Sequence, residues 1–333
     1  MSKRYRSAII GCGLIGSSMQ DRKGGTVRGI STHAAAYSEH EQVELVALCD
    51  SQPEGLSVAN DRWGPLPCYD NYIDLLSKAQ PELVSVATHV DSHYEITKAC
   101  LMHDSVKAVL LEKPVCHDIN EARELADIAR SCNKALNVNY SRRFSPEFQR
   151  VASDISNGVF GEPLIVTGVY TKGLFHNGTH WIDMYRMLFS EPKKVFATAS
   201  PSIDSKMDPD PMVSFAFEHD SMMSAEVKTF AHEHHTIFDM DIVLTKGRIR
   251  IIDQSDTIEM YKVKDDWPFA GYQSLDKTDT FNQCLSNALM HAVDDLVNSI
   301  DGGDSVSPIE SAIKNLEWAT EIKHSLSHFS GSL

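Results

Sequence analysis

A glycine pattern directly after the first apolar segment constrains the fold of this chain more than any other feature. Gly11-Cys12-Gly13-Leu14-Ile15-Gly16 follows the strand-like residues 7–10 without an intervening loop. Glycines in this position let the chain turn tightly and expose backbone N–H groups to the pyrophosphate of a dinucleotide. The pattern predicts the first βα unit of a parallel sheet. The residues expected to border the cofactor here are Gly11, Gly13, Leu14, Ile15 and Gly16.

Strand-like and helix-like segments alternate through the first third of the chain. Short apolar runs at residues 43–49, 83–87, 108–111 and 135–138 are separated by helical patterns. This alternation is typical of a parallel sheet with helices on both faces. We therefore expect residues 1–140 to form a doubly wound α/β domain.

The pattern changes near residue 150, where longer runs rich in β-branched and aromatic residues begin. Such runs, separated by turn residues, predict an open and mostly antiparallel sheet. Two helical patterns follow, at residues 280–299 and 308–326. We expect residues 141–333 to form a second, α+β domain, with the helix at 308–326 packing back on the first domain.

Composition excludes several classes of protein. A chain of 333 residues is too long for one ordinary core, which favours two domains. The formal charge of -15 disfavours nucleic acid and anionic membrane surfaces as partners, and no apolar run is long enough to span a membrane. Seven cysteines without CxxC spacing indicate reduced thiols and a cytoplasmic protein.

Asp50 ends the second predicted strand, where a carboxylate accepts hydrogen bonds from ribose hydroxyls and repels a 2′-phosphate. This favours NAD over NADP. Asp50 lies 34 positions after Gly16, whereas the usual interval is about 20. A polar insertion at about residues 20–31, with Arg22, Lys23 and Arg28, accounts for the difference. It is either a solvated loop or a flap over the cofactor or an anionic substrate.

Glu112-Lys113-Pro114 follows the buried strand predicted at residues 108–111. A lysine at the carboxyl edge of a parallel sheet lies where open α/β folds bind ligands. Partial desolvation there lowers the pKa of an ammonium and makes it a better proton donor. The alternative interpretation is a lysine that reaches solvent before a turn.

A second polar cluster precedes an apolar helical pattern. His180 and Asp183 are three positions apart, so they share a face of the predicted helix, and Asn177 or Thr179 is expected to cap it. Histidine can take up a proton near neutral pH, and a neighbouring carboxylate strengthens it as a base. The alternative for His180 is a capping or buried structural role.

Two histidine-rich patterns suggest metal binding only weakly. His176 and His180 are four positions apart but lack the glutamate of an H-E-x-x-H zinc site. The segment His232-Glu233-His234-His235 would point its side chains to alternate faces of a strand, so a loop is the better interpretation. We expect no metal.

Together these motifs resemble the glucose-fructose oxidoreductase and inositol dehydrogenase family, written Gfo/Idh/MocA, over nearly the whole chain. The resemblance implies a Rossmann domain followed by an open sheet domain, which binds substrate on one face and commonly packs subunits together on the other. A homodimer or homotetramer is therefore expected.

The resemblance also implies roles for individual residues. Lys113 would orient the reacting carbinol and share in proton transfer, and His180 would be the general base. Glu112 and Pro114 would shape the cofactor pocket. The resemblance places Thr88, His93 and Asn139 near the cofactor, and Tyr140, Asn177 and Asp183 near the substrate. Arg142, Arg143 and Lys172 would suit a carboxylate, phosphate or diphosphate on a sugar, or lie on the surface as solvated cations.

His176 departs from the family pattern, because many relatives have an aspartate four residues before the catalytic histidine. The substrate's hydroxyl pattern or charge is therefore expected to differ, which argues against inositol dehydrogenase itself. The expected activity is NAD-dependent hydride transfer to or from a secondary alcohol of a sugar, sugar acid or nucleotide sugar. The alternatives are an NAD-dependent glycosidase that uses transient oxidation and elimination, and a catalytically silent NAD-binding regulator.

Overall fold

The computed structural model describes residues 4–18, 29–200, 209–219, 223–266 and 268–329. The chain forms two compact units, here called the parallel-sheet unit and the mixed-sheet unit. The parallel-sheet unit comprises Met1–Phe144 and Ser286–Ile313, and the mixed-sheet unit comprises Ser145–Leu285 and Lys314–Leu333. The division thus falls at Phe144 instead of residue 140, and residues 286–313 join the first unit instead of the second.

The parallel-sheet unit is built on six parallel strands in the order β3-β2-β1-β4-β5-β6. They are β1 (Tyr5–Ile10), β2 (Val43–Cys49), β3 (Cys68–Tyr69), β4 (Leu83–Val86), β5 (Ala108–Leu111) and β6 (Ala135–Val138). The strand order reverses between β1 and β4, where open α/β sheets bind ligands beyond the carboxyl ends of the strands. This order confirms the predicted doubly wound Rossmann fold.

Helices cover both faces of this sheet. They are α1 (His33–Glu39), α2 (Pro53–Trp63), α3 (Tyr72–Ala79), α4 (His93–Met102), α5 (Ile119–Ser131) and the short α6 (Ser141–Phe144). Along β1, Ile9 belongs to the apolar cluster that contains Tyr37 of α1, whereas Ala8 and Ile10 belong to the cluster with Leu75 of α3. Because both faces are buried, these strands are mostly apolar in the sequence.

The mixed-sheet unit contains an eight-stranded sheet in the order β14-β13-β12-β11-β7-β10-β9-β8. Its strands are β7 (Pro163–Tyr170), β8 (Lys194–Ala199), β9 (Ser214–Glu218), β10 (Ser224–Thr229), β11 (Phe238–Leu244), β12 (Gly247–Ile252), β13 (Thr257–Lys264) and β14 (Ser274–Asn282). All neighbouring pairs are antiparallel except β7 with β10. Helices α7 (Pro146–Ser156) and α8 (Thr179–Phe189) belong to the same unit. The mostly antiparallel second sheet is therefore confirmed.

The edge strand β14 was not predicted, because the sequence pattern from residue 280 was interpreted as the start of a helix. In the structure, β14 pairs with β13 along its length and most of its residues are exposed. A strand exposed on both faces lacks the apolar alternation that identifies a half-buried strand. The helix begins only at Ala288.

Two C-terminal helices complete the two cores. Leu289 and Val293 of α9 (Ala288–Ile300) belong to the same apolar cluster as Ile9 and supply part of a layer beside α1. The last helix, α10 (Ile309–Phe329), begins in the parallel-sheet unit, and its residues from Lys314 onward belong to the mixed-sheet unit. Ile309 and Ala312 in the first turn of this helix belong to an apolar cluster of the parallel-sheet unit. Among the described residues, no helix combines the length and apolarity needed to span a membrane.

Gly168 of β7 fixes where α8 packs on the mixed sheet. A Cβ atom on Gly168 would lie 2.2 Å from the indole of Trp181, so only glycine admits this contact. The fully buried Trp181 ring stacks on Phe217, with centroids 6.0 Å apart, and its Nε1–H donates to the carbonyl of Asp239 at 3.3 Å. These contacts fix the helix that carries His180 and Asp183.

We expect Gly168→Val to lower the free energy of unfolding by about 1–3 kcal/mol, because the added side chain displaces the Trp181 ring. Urea unfolding followed by circular dichroism measures this change. The matched control is Thr167→Val, since Thr167 is exposed on the neighbouring position of the same strand. Equal stability of the two variants would contradict the importance of the Gly168–Trp181 contact.

Candidate functional site

The glycine loop after β1 uses its three glycines for different physical reasons. Gly11 has φ +98°, and a Cβ there would lie 2.6 Å from the backbone of Ala87 and Thr88. A Cβ on Gly16 would lie 1.9 Å from the carbonyl oxygen of Gly11. A Cβ on Gly13 would meet nothing within 4 Å. Gly11 and Gly16 are therefore required by packing, whereas Gly13 leaves an open surface that a ligand can approach.

One wide helical turn, Leu14–Ser18, follows the glycines. Its Ser17 and Ser18 N–H groups donate to the carbonyl of Gly13, at 2.9 and 3.2 Å. Leu14 is exposed and Ile15 is half-buried. The insertion expected at residues 20–31, with Arg22, Lys23 and Arg28, lies outside the described residues up to position 28.

Asp50 lies beside the glycine loop at the carboxyl end of β2. Its Oδ2 accepts a hydrogen bond from the backbone N–H of Cys12 at 2.7 Å, and its Oδ1 accepts one from the N–H of Gln52 at 2.8 Å. Burial, with the Asp50 charge, raises the pKa of the Cys12 thiol to about 12, so this thiol stays neutral. Asp50 is thus the charged group that this end of the loop presents.

A cavity of about 470 Å³ opens beside these residues, lined by Gly11, Gly13, Asp50, Thr88 and His89 among others. This volume is in the range of small-molecule sites. The lining also fits a dinucleotide chemically, because it combines an open glycine backbone with a carboxylate that can accept hydrogen bonds from ribose hydroxyls. Residues that could hold the cofactor are therefore gathered at the reversal point of the parallel sheet.

Glu112 lies at the carboxyl end of β5 and is buried, whereas Lys113 and Pro114 after it are half-buried and joined by a cis peptide bond. Oε1 of Glu112 accepts hydrogen bonds from Nε2 of His33 at 2.9 Å and Nδ2 of Asn139 at 2.6 Å. Burial alone would raise the pKa of Glu112, but the His33 and Asn139 hydrogen bonds and the nearby Lys113 charge lower it. Glu112 is therefore a buried, ionised carboxylate next to the predicted catalytic lysine.

His93 connects the loops after β4 and β5. Its Nδ1 lies 2.9 Å from the carbonyl oxygen of Pro114, and its Nε2 lies 3.1 Å from that of Thr88. Burial lowers the pKa of His93 more than these carbonyls and Glu112 raise it. His93 thus holds Pro114 and Thr88 in place, and its direct contact with a cofactor stays a prediction.

The residues after β6 differ in exposure. Tyr140 is buried in the apolar cluster of the parallel-sheet unit, and Arg142 is also buried, with 8% of its surface exposed. The half-buried Arg143 donates from Nη1 to the carbonyl of Val306 at 3.3 Å. Lys172, in the other unit, is exposed. Their roles at a substrate stay predictions.

In the mixed-sheet unit, a helical turn, Leu174–Gly178, runs directly into α8. Both carboxylate oxygens of Asp210 accept backbone hydrogen bonds from this turn, Oδ1 from Phe175 at 2.6 Å and Oδ2 from His176 at 3.2 Å. His176 is exposed, and His180 is half-buried in the first turn of α8. Asp210 therefore fixes the segment that leads into His180.

The predicted cap of α8 was wrong. Neither Asn177 nor Thr179 caps the helix. The N-cap position is Gly178, and the preceding turn already bonds the Thr179 N–H to the carbonyl of Leu174. Instead, Nδ2 of Asn177 donates to the carbonyl of Thr171 at 2.8 Å, and the Thr179 hydroxyl donates to the carbonyl of Phe175 at 2.8 Å. Asn177 is half-buried, and this bond fixes its position beside His176.

Asp183 is buried on α8 and is held by a residue of α10. Its Oδ1 accepts a hydrogen bond from Nδ2 of Asn315 at 2.8 Å, and Oδ1 of Asn315 accepts one from Nη1 of Arg186 at 2.6 Å. Asn315 is itself fully buried. The Asn315 amide therefore bonds to both the Asp183 carboxylate and the Arg186 guanidinium, and it fixes the rotamer of Asp183.

Sequence reasoning missed the residues that support the predicted ones, namely His33, Asp210 and Asn315. Each is far along the chain from the residue that it contacts, so no local spacing links the two. The available signal for His33 was a histidine that opens the apolar run Ala34-Ala35-Ala36-Tyr37. A polar side chain at the start of a buried helix needs a partner.

Within the described ranges, no group of three or more His, Cys, Asp or Glu side chains is arranged to hold a metal ion. His232, Glu233, His234 and His235 are exposed in the connection between β10 and β11.

Two family models match the chain, one in each unit. The first, described as an oxidoreductase family with an NAD-binding Rossmann fold, matches residues 5–140. The second, described as the GFO/IDH/MocA C-terminal domain, matches residues 171–250.

Curated relatives are similar over part of their length. A D-glucoside 3-dehydrogenase of Escherichia coli (strain K12) is 29% identical over 226 residues, 62% of this chain and 60% of that protein. An inositol 2-dehydrogenase of Rhizobium meliloti (strain 1021) is 30% identical over 188 residues, 52% of this chain and 56% of that protein. The chain therefore spans less than two thirds of the length of these relatives.

Solved structures share the fold along nearly the whole chain. The WlbA dehydrogenase of Bordetella pertussis, solved with NADH and UDP-GlcNAcA, has a TM-score of 0.73 at 18% identity and covers 98% of this chain and 97% of its own. The transcriptional regulator Gal80p of Kluyveromyces lactis has a TM-score of 0.77 at 15% identity, with 98% and 93% coverage. With the Rossmann strand order, the mostly antiparallel second sheet and both family models in agreement, the chain belongs to the Gfo/Idh/MocA oxidoreductase family.

Proposed function

We propose that this protein is an NAD-dependent dehydrogenase or reductase that transfers a hydride between nicotinamide and a secondary alcohol of a sugar, sugar acid or nucleotide sugar. One observation carries the proposal. The half-buried Lys113 follows β5 at the same edge of the parallel sheet that holds the Asp50-lined cavity beside Gly13. A proton-donating group and a dinucleotide-type cavity at one sheet edge are what hydride transfer from an alcohol requires.

The residues that would hold the cofactor are Gly11, Gly13, Leu14, Ile15, Gly16, Asp50, Thr88, His93, Glu112, Lys113, Pro114 and Asn139. Asp50 supports NAD over NADP, because its carboxylate would repel a 2′-phosphate. When bound, NAD supplies the electrophilic ring that accepts the hydride. The protein binds and orients the cofactor and the substrate, and it excludes water from them.

Oxidation removes a hydride from the carbinol carbon and a proton from its oxygen, which leaves a ketone. Lys113 holds the carbinol oxygen through its Nζ and shares in moving the proton. His180 accepts that proton at a ring nitrogen, and Asp183 holds a neighbouring hydroxyl. Positioned general bases of this type contribute about 10²–10⁴-fold to the rate.

The names of the similar relatives support a carbohydrate substrate, since they act on a D-glucoside and on inositol. The exposed imidazole of His176 and the cations Arg142, Arg143 and Lys172 support a substrate with a carboxylate, phosphate or diphosphate. Tyr140 and Asn177 complete the proposed substrate-binding set.

A panel of sugars, sugar acids and nucleotide sugars with NAD or NADP tests the proposal, read by the absorbance of reduced nicotinamide. We expect NAD reduction with at least one carbohydrate. Cleavage of a glycoside without net NADH formation would indicate the glycosidase alternative. Tight NAD binding without turnover of any compound would indicate a regulator.

Asp50→Ala is expected to weaken NAD binding and to reduce the preference for NAD over NADP by about 10- to 100-fold, the value of one or two hydrogen bonds to a charged group. Titration of both cofactors by protein fluorescence measures the two dissociation constants. Asp50→Asn is the matched control, because it keeps an acceptor for the N–H of Cys12 but removes the charge. If the cofactor preference is the same in the parental protein and both variants, Asp50 does not select the cofactor.

We further propose that the protein is cytoplasmic and assembles as a homodimer or homotetramer. All seven cysteines are free thiols, as expected in a reducing compartment. Leu164 and Ile165 of β7 are 44% and 45% exposed, which supports an apolar contact between copies on the mixed sheet. Light scattering after size exclusion should give two or four times the chain mass of 37.1 kDa, and a monomer at micromolar concentration would contradict this assembly.

A further inference from the structure

A chain of buried polar side chains leads from Glu112 into the interior of the parallel-sheet unit. Nε2 of His33 lies 2.9 Å from Oε1 of Glu112, and Nδ1 of His33 lies 2.9 Å from the hydroxyl of Ser85. The Ser85 hydroxyl lies 2.9 Å from the hydroxyl of Tyr37. His33, Ser85 and Tyr37 are all 0% exposed. Buried polar groups in such a fully connected network fix one another's positions.

The chemistry of the Glu112 carboxylate determines which ring nitrogen of His33 carries a hydrogen. An ionised carboxylate can only accept hydrogen bonds, so Nε2 of His33 must carry a hydrogen. Nδ1 then faces a hydroxyl, which can either donate or accept. The Ser85 and Tyr37 hydroxyls can therefore turn together and keep every bond whether His33 is an imidazole or an imidazolium.

The network ends inside the protein. Burial raises the pKa of the Tyr37 hydroxyl, which therefore stays protonated at any ordinary pH. Because Tyr37 is fully buried, the chain of hydroxyls offers no exit to solvent at that end. Its physical effect is thus to hold charge and geometry at Glu112, and it is not a path that conducts protons.

Burial disfavours the ionised form of Glu112, so the hydrogen bonds of this network are needed to keep it charged. The titratable groups that face it, among the described residues, are His33 from α1, His93 from α4 and the adjacent Lys113. Burial lowers the pKa of His93, although the nearby Glu112 charge acts to raise it. The hydrogen bond from His33 is the largest of the causes that lower the pKa of Glu112, and the charge of His33 comes next, ahead of the Asn139 hydrogen bond and the Lys113 charge.

We propose that His33 is a positioning residue for hydride transfer: its Nε2–H holds the buried Glu112 carboxylate ionised and in place, and Glu112 in turn orients the adjacent Lys113. The kinetic part of this inference rests on the proposed dehydrogenase function. The structural part, that His33 keeps Glu112 ionised, does not.

His33→Leu removes the hydrogen bond to Glu112, and His33→Asn is a polar variant too short to reach the carboxylate. His33→Gln restores an N–H donor at similar reach. The matched control is His40→Leu. His40 ends the same helix, is 6% exposed, and bonds to the carboxylate of Asp294 at 3.0 Å. The His40→Leu variant removes a second histidine–carboxylate pair from the same unit and leaves the hydrogen bonds of Glu112 unchanged.

The first measurement needs no substrate. The carboxyl carbon of Glu112 is followed by ¹³C NMR against pH in protein labelled at glutamate, and its signal is assigned by its loss in Glu112→Gln. We expect the titration midpoint of Glu112 to rise by about one unit or more in His33→Leu and His33→Asn, because burial then dominates. The midpoint should stay at the parental value in His40→Leu, and it should be lower in His33→Gln than in His33→Leu, because glutamine restores the hydrogen bond but not the charge of His33. The same midpoint in all variants would overturn the inference.

The second measurement is the pH profile of kcat with a carbohydrate that the parental protein oxidises. In His33→Asn we expect kcat to fall about tenfold or more, with the NAD dissociation constant within about threefold of the parental value. Loss of activity on acidification should begin at a higher pH, because Glu112 protonates earlier. His33→Gln should restore most of kcat. An equal fall in His40→Leu would show a general loss of stability and contradict a positioning role.

The two measurements distinguish a failure of the proposed function from a failure of the positioning role. If the parental protein oxidises no carbohydrate, the proposed function is wrong, and the NMR titration still decides whether His33 keeps Glu112 ionised. If the parental protein is active but the Glu112 midpoint and kcat are unchanged in His33→Asn, the positioning role is wrong and the function stands.

Discussion

Lys113→Ala is expected to lower hydride transfer by about 10²–10⁴-fold while NAD binding stays close to the parental value. The alanine removes the Nζ that we propose holds the carbinol oxygen, but it leaves the glycine loop and Asp50 intact. Steady-state oxidation of a carbohydrate, with NAD affinity measured separately by fluorescence, gives the two quantities.

Lys107→Ala is the matched control for Lys113→Ala. Lys107 precedes the same strand, β5, at its amino end and pairs with Glu82 at 2.8 Å, so it lies at the sheet edge opposite to Lys113. We expect this variant to keep the parental rate. Parental activity in Lys113→Ala would mean that Lys113 has no part in the chemistry.

His180→Ala is expected to cause a loss of similar size, because it removes the proposed final acceptor of the proton from the substrate hydroxyl. Added imidazole should restore part of the activity to this variant, since a small free base can occupy the space of the missing ring. The measurement is the rate of NAD reduction against imidazole concentration, compared with the parental protein.

The rescue experiment distinguishes a base from a structural residue. His180 is half-buried in the first turn of α8, so its loss leaves the Trp181 packing in place. Unfolding in urea should therefore differ little between His180→Ala and the parental protein. A large loss of stability without any imidazole rescue would indicate that His180 supports the fold and is not the base.

Much of the fold was predictable because local sequence patterns determine it. The strands β1, β2, β4, β5 and β6 are mostly apolar runs, since both faces of a parallel sheet are buried. The cofactor half of the candidate site was predictable for the same reason, because Gly11, Asp50 and Glu112 directly follow three of those runs. A residue at a strand end is placed by the strand itself.

The parts that sequence could not predict depend on contacts distant along the chain. Whether His33 meets Glu112, or Asn315 meets Asp183, depends on how helices pack on a sheet, which no local spacing encodes. The helix cap at Asn177 or Thr179 was predicted wrongly because a helical turn runs directly into α8 and bonds the Thr179 N–H to the carbonyl of Leu174. The polar edge strand β14 had no apolar face to identify it.

The central claim is that the protein moves a hydride from a carbohydrate carbinol to NAD with the help of Lys113. The most direct measurement uses a carbohydrate active in the panel, with deuterium at the oxidised carbon, and follows the label by mass spectrometry. We expect the parental protein to place deuterium on the nicotinamide ring, with little transfer by Lys113→Ala and full transfer by Lys107→Ala. Reduced nicotinamide without deuterium, or equal transfer by Lys113→Ala, would contradict the claim.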